Sequence, residues 1–154
     1  MKRIYWIGVL VLILLTAGIF VYTEYNRKRA DSYSLKPLFK ATALDLLKEF
    51  SDNEQQANLK YAGQNIIIEV TGMVKEVIKN EQGNYTIIMG DTSSLSSVRC
   101  SIDTLYTSGV NNLQIGSIAT IKGNFNGYKA DEMGIGADVE FNFCVVTSQA
   151  PSSK

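Results

Sequence analysis

From Ile4 to Tyr22 the chain reads Ile-Tyr-Trp-Ile-Gly-Val-Leu-Val-Leu-Ile-Leu-Leu-Thr-Ala-Gly-Ile-Phe-Val-Tyr, without one charge. At about 1.5 Å per residue a helix over this run is roughly 28 Å long, close to the hydrocarbon thickness of a bilayer. Tyr5, Trp6 and Tyr22 mark its ends, where amphipathic rings prefer to sit. The run exceeds the usual apolar region of a signal peptide, and no small-x-small site precedes a polar start. Ile19 stands where a lipoprotein signal needs cysteine. Residues 1–25 are therefore read as an uncleaved transmembrane anchor, and residues 26–36 as a polar linker.

The next pattern has a helical period. Pro37 suits the first turn of a helix, and Phe39, Ala43, Leu46, Leu47 and Phe50 follow on one stripe, opposite Lys40, Asp45, Lys48 and Glu49. Ser51-Asp52-Asn53 stops that helix and caps a second, short one running through Tyr61, which Ala62-Gly63 ends. Residues 37–62 form a helical extension on this reading.

The period then drops to two. Residues 61–80 are β-branched and too long for one flat strand, and Gly72 is where the strand is expected to bend or bulge. Ile66, Ile68 and Val70 fall on one face, Ile67, Glu69 and Thr71 on the other. A polar hairpin at 80–84 leads to a strand at 85–89, and a second polar turn to 97–102, where Val98, Cys100 and Ile102 face inward and Arg99 outward. Residues 103–113 are irregular, with Leu105, Tyr106 and Val110 available to plug a barrel end. Strands at 117–125 and 137–146 follow, the second with Val139, Phe141, Phe143 and Val145 on one face. Residues 148–154 read as a frayed tail. Five strands over 63–147, with a bend in the first and a plug between the third and fourth, predict a mainly β protein: a five-stranded OB-fold barrel carrying an N-terminal helical extension.

Composition narrows the chemistry. The chain has no histidine, which removes imidazole bases, His-dependent nucleophiles and the usual zinc sets. No phosphate-loop spacing occurs, and Gly134-Ile135-Gly136 lacks the following helix of a dinucleotide site. Asp131, Glu132 and Asp138 lack the ordered spacing of a calcium loop. No enzyme activity, cofactor or metal is expected. Whole-chain neutrality hides a split: residues 31–154 carry ten Lys and Arg against fourteen Asp and Glu, a net charge of −4. A phosphate-binding surface normally starts from a basic excess, so nucleic acid is disfavoured. The face an OB-fold uses for ligands would hold Tyr85, Arg99, Lys122 and Tyr128, with Lys129 nearby. Two rings beside three cations suit a single-stranded nucleic acid or a sugar chain. The competing reading makes Tyr85 a cross-strand packing residue and the cations ordinary solubilisers, and Glu81, Asp131 and Glu132 in the same loops favour it. Cys100 and Cys144 are the two thiols, and the third and fifth strands of an OB-fold are neighbours. Parity nevertheless sets Cys100 inward and Cys144 outward, alternating with Phe143 and Val145, so two unpaired thiols are favoured over a bridge.

Lys-Glu-Phe-x-x-Asn-Glu-x-x-Ala-Asn-x-Lys-Tyr-x-Gly at 48–63, Val-Thr-Gly-x-Val at 70–74 and Leu-x-x-Gly-Ser-Ile-Ala-Thr-Ile-Lys-Gly-x-x-x-Gly at 113–127 carry a family likeness. Over residues 40–147 the chain resembles the bacterial tRNA-anticodon-like OB-fold family of small exported or membrane-anchored proteins. The resemblance implies the fold and an envelope setting, and brings no catalytic residues. Relatives often have a cysteine between two glycines of the fourth strand, where this chain has Phe125, so no disulfide carries over. Lys2 and Arg3 precede the apolar run and Arg27, Lys28 and Arg29 follow it; the count alone favours the domain inside. The resemblance points the other way, to a single-pass protein of the cytoplasmic membrane with its domain outside. The expected role is a binding module for a protein or envelope ligand, the alternative an oligonucleotide-binding domain.

Overall fold

A computed structural model of the chain describes residues 2–25, 32–63, 66–131 and 133–150, with side chains from residue 12 onward apart from Glu24 and Ala150. Most of the linker (26–31), Glu132 and the tail end 151–154 lie outside the described residues. Helix α1 runs over Lys2–Tyr25, 24 residues without interruption. Among the described residues no helix is long and apolar enough to cross a membrane, the side chains of residues 2–11 being outside that description. The span expected over Ile4 to Tyr22 is thus present as helix, but is not shown as a membrane crossing.

The barrel is built from β2 (Ile67–Lys79), β3 (Tyr85–Met89), β4 (Ser97–Ile102), β5 (Ile118–Ala130) and β6 (Ala137–Ala150). Antiparallel pairs join β2 to β3, β3 to β4 and β5 to β6, while β4 and β6 run parallel. The sheet closes through β2 and β5, which keep an unbroken antiparallel register from Ile67↔Asn124 to Met73↔Ile118. Closure leaves no free edge on the five strands, satisfying ladder groups that would otherwise need covering. Ile68, Val70, Val74, Ile87, Met89, Val98, Cys100, Ile121, Val139 and Phe141 fill the interior.

Three sequence expectations give way to longer-range pairing. The helix expected from Pro37 instead begins at Ala43: Phe39–Thr42 form strand β1, parallel to β2 in the register Phe39↔Ile68. Thr42 caps the helix that follows, α2 (Ala43–Asp52), by accepting from the Asp45 amide at 3.1 Å. The apolar stripe itself survives, since Ala43, Leu46 and Phe50 are buried. Asn53 caps α3 (Glu54–Tyr61) as its sequence suggests, accepting from the Gln56 amide at 3.0 Å.

Second, β2 does not bulge at Gly72, which stays in register opposite Ala119; the shift falls between Val74 and Glu76. Gly72 serves a different purpose, because a Cβ there would stand 2.8 Å from the Ala43 Cβ. It lets the start of α2 lie directly on the sheet. Third, β6 changes face at Phe143, a non-glycine residue at φ 52°, where its register with both neighbours shifts. Cys144 is therefore fully buried in the core rather than turned outward.

Smaller differences follow the same lines. Val110 plugs the barrel from the 3-10 turn Thr107–Asn112, but Leu105 is exposed and Tyr106 stacks on Tyr33 with ring centroids 4.7 Å apart. Residues 148–150 extend β6 instead of fraying. The other barrel end is closed by Phe50, whose ring stacks on Phe125 and Tyr128 at 5.1 Å each and on Tyr61 at 5.9 Å. Burying one such ring contributes roughly 2–3 kcal/mol.

Gly72→Val is expected to lower stability by about 1–3 kcal/mol, because α2 must lift from the sheet to admit the side chain. The urea midpoint reads this. Gly127→Ala, where a Cβ meets nothing within 4 Å, should move the midpoint little; equal shifts for the two would refute the close-approach account.

Candidate binding face

The five residues proposed as a ligand face do not converge. Tyr85 shares the inward parity of Ile87 and Met89 and packs against the core, with the Lys79 ammonium 5.2 Å from its ring centre. Tyr128 lies under Phe50, and burial raises its phenol pKa above the ordinary value. Both side chains are half-buried.

The three cations are each engaged. Lys122 donates to the backbone carbonyls of Tyr33 and Leu35 at 3.0 and 3.2 Å, and Asn124 donates to the Ser32 hydroxyl at 3.2 Å. The chain just before β1 is thereby fastened along β5, so this end of the expected linker is docked. Ser32 is only 1% exposed. Arg99 and Lys129 do come together, on the outer face where β4, β6 and β5 run side by side. There they meet carboxylates: Arg99 pairs with Asp138 at 3.3 Å and Lys129 with Glu140 at 2.7 Å. Ser97 donates a further 2.7 Å bond to Asp138, and Asn142 donates to Asn126, which in turn reaches Glu140. The face is a lattice of alternating charge.

Above this lattice the loops 90–96 and 131–136 meet. The Ala137 amide donates to the Ser96 hydroxyl at 3.1 Å, and Lys75 ties the first loop through the Ser94 and Ser96 carbonyls. Gly136 is needed for the approach, since a Cβ there would come within 3.1 Å of the Leu95 Cβ. In the same first loop, Ser93 donates backbone and side-chain hydrogen bonds to Asp91, lowering that carboxyl's pKa. The two loops frame an open cleft of about 380 Å³ lined by Leu95, Lys129, Asp131, Ile135 and Asp138 among others. Leu95 and Ile135 on its lining are 70% and 61% exposed, and Met133 in the second loop is 82% exposed. Three large apolar side chains on otherwise polar loops are the feature the sequence reading passed over. Their signal was there: each stands alone among Ser, Asp and Gly, where no strand or helix would bury it.

A second cleft, of about 400 Å³, lies between β1 and the two short helices. Its centre is a compact polar group: Lys60 reaches both Glu49 oxygens at 3.1 and 2.8 Å, and the Tyr61 hydroxyl donates to Glu49 at 2.9 Å. The Lys60 ammonium also sits 4.7 Å from the Tyr61 ring centre. Among the described residues no group of three or more His, Cys, Asp or Glu is arranged to hold a metal.

This closed five-stranded barrel with a plugged end is an OB-fold. The profile of the tRNA_anti-like family matches residues 1–135, and the chain belongs to that family. In structure it resembles a lipoprotein from Klebsiella pneumoniae described as nucleic acid-binding, with a TM-score of 0.51 and 19% identity over 70% of this chain and 91% of that one. It also resembles part of the asparaginyl-tRNA synthetase of Entamoeba histolytica, with a TM-score of 0.41 and 18% identity over 58% of this chain and 22% of the enzyme. In sequence it is 30% identical over 118 residues to the Saccharomyces cerevisiae bud site selection protein RAX2, a match covering 73% of this chain. The chain spans only 9% of RAX2.

Lys60 holds the Glu49 carboxyl below its usual pKa of 4.5, chiefly through their hydrogen bond, and is itself raised by the same bond. A lowered carboxyl stabilises the fold above its unfolded-state pKa, and that contribution is lost as pH falls through the lower folded value. Both partners are about two-fifths exposed, so Glu49→Gln should cost only ~0.5 kcal/mol at pH 7. Thermal melts should show the gap to wild type closing as pH falls below 4.5. A gap that widens toward acid would contradict this account.

Proposed function

We propose that the chain is a non-enzymatic binding module, held by α1 in the cytoplasmic membrane, with its barrel outside and its 90–96 and 131–136 loops offered to a protein or envelope ligand. The observation that carries this reading is the contrast between the two parts of the ligand face. Its cations are already neutralised by Asp138 and Glu140 or spent on the docked leader, while Leu95 and Ile135 on the cleft and Met133 in the second loop stand exposed. Apolar side chains with a polar surround favour a partner that buries them.

The anchor is supported by the uncharged run from Ile4 to Tyr22 within a helix 24 residues long, about 36 Å at 1.5 Å per residue. Leu12, Leu15, Ile19 and Phe20 on it are exposed. Thr16 and Thr23 donate to the helix's own carbonyls at 2.9 Å, so their hydroxyls add little cost in hydrocarbon. Since Cys100 and Cys144 are buried, Ser152→Cys supplies a separate thiol for reporting topology. A membrane-impermeant reagent is expected to label it once the outer barrier is opened; labelling only after the inner membrane is broken would place the domain in the cytoplasm.

Single-stranded nucleic acid is the second reading. The similar Klebsiella lipoprotein is described as nucleic acid-binding, and OB-folds take oligonucleotides on this face. Fluorescence anisotropy with a labelled oligothymidylate and an oligouridylate separates the two. The expected result is no binding tighter than about 100 μM at low salt, the weak end of non-specific affinities. Low-micromolar binding that weakens steeply with salt would establish the nucleic-acid reading instead. A photo-crosslinking residue at Ile135 should meanwhile give a discrete protein adduct in cells, absent when it is placed at exposed Leu44.

A further inference from the structure

The two thiols lie together in the barrel interior, on strands that touch. Cys100 faces inward on β4 in ordinary alternation with Val98 and Ile102. Cys144 reaches the same space because β6 reverses face at Phe143, which sets Cys144 beside Ile102, one inward position along from Cys100. Both are buried, at 1% and 0% exposure, and neither is bonded. Burial pushes the Cys144 thiol well above its ordinary pKa, and its direct interaction with the Cys100 thiol adds to the shift. Gly123 on β5 completes the arrangement: a Cβ there would fall 2.5 Å from the Cys144 sulfur. The missing side chain makes the room in which that sulfur sits.

We propose that Cys100 and Cys144 are an oxidisable pair that closes into an intramolecular disulfide tying β4 to β6. The oxidant is a disulfide donor, a small-molecule or protein disulfide. One cysteine thiolate attacks the donor, releasing a donor thiol and leaving a mixed disulfide. The second cysteine attacks that bond and releases the other donor thiol. Two cysteine thiols are oxidised, the donor disulfide is reduced to two thiols, and the two cysteine protons end on the donor. Burial keeps both thiols out of reach in the finished barrel, so exchange takes place while β6 is docking. The pair is defined by the fold alone and applies in any compartment that supplies the donor.

The test uses the full chain in detergent micelles, reduced, unfolded in urea and refolded in glutathione buffers of graded oxidised-to-reduced ratio. Samples are acid-quenched, unfolded and treated with N-ethylmaleimide for intact-mass analysis. The expected product is a monomer two hydrogen masses lighter than the reduced chain, with no maleimide adduct. It should melt on the order of 10 °C above the reduced protein, as closure of a long loop predicts. Cys144→Ala, treated alike, should keep one modifiable thiol and gain no melting temperature. Two maleimide adducts at every ratio, a stable glutathione adduct on the wild type, a disulfide-linked dimer, or an oxidised monomer that melts no higher would each overturn the proposal.

Discussion

The structure depends on closing a sheet of only five strands. Ile67–Met73 of β2 must pair with β5 while the rest of β2 pairs with β3, and one strand makes both ladders only by bending strongly. The bend is supplied where the register slips, between Val74 and Glu76 on β2 and around Phe143 on β6. Each slip reverses which side chains look inward. The core composition is thus a consequence of closure: Val77 and Cys144 point inward because the ladder yields just before them.

Closure also explains why the helices sit where they do. A closed barrel has open ends, and an apolar interior needs a lid at each. Val110 of the 3-10 turn provides one, and Phe50 of α2 the other, stacked between the rings of Tyr61, Phe125 and Tyr128. Strand β1 brings α2 to that opening by pairing with β2 immediately before Thr42 caps the helix. Tyr128 thus packs on that lid while standing beside the loop the sequence offers for a ligand.

What could be read from the sequence was what local pattern decides. Strand β4 alternates, β3 is a short run bounded by polar turns, and the Asn53 cap announces α3, so their limits were legible. What failed was set by distant partners. Phe-Lys-Ala-Thr at 39–42 fits a helix stripe as well as a strand, and only the neighbour Ile68 decides between them. Nothing around Phe143 marks it for a left-handed conformation, so the face of Cys144 could not be assigned by counting. The neutralisation of Arg99 and Lys129 required knowing that Asp138 and Glu140 lie across the ladder. That adjacency follows from the OB-fold topology once the strand order is accepted; the pairing of specific side chains does not.

The docked leader has a geometric consequence for anything the barrel holds. Ser32 is fastened to Asn124, and the carbonyls of Tyr33 and Leu35 to Lys122, so the link from Tyr25 to Ser32 contains six residues rather than the whole polar stretch. Fully drawn out it spans at most about 25 Å. The barrel is therefore moored rather than tethered. Whatever it captures is held close to the end of α1, at a distance that this short link limits.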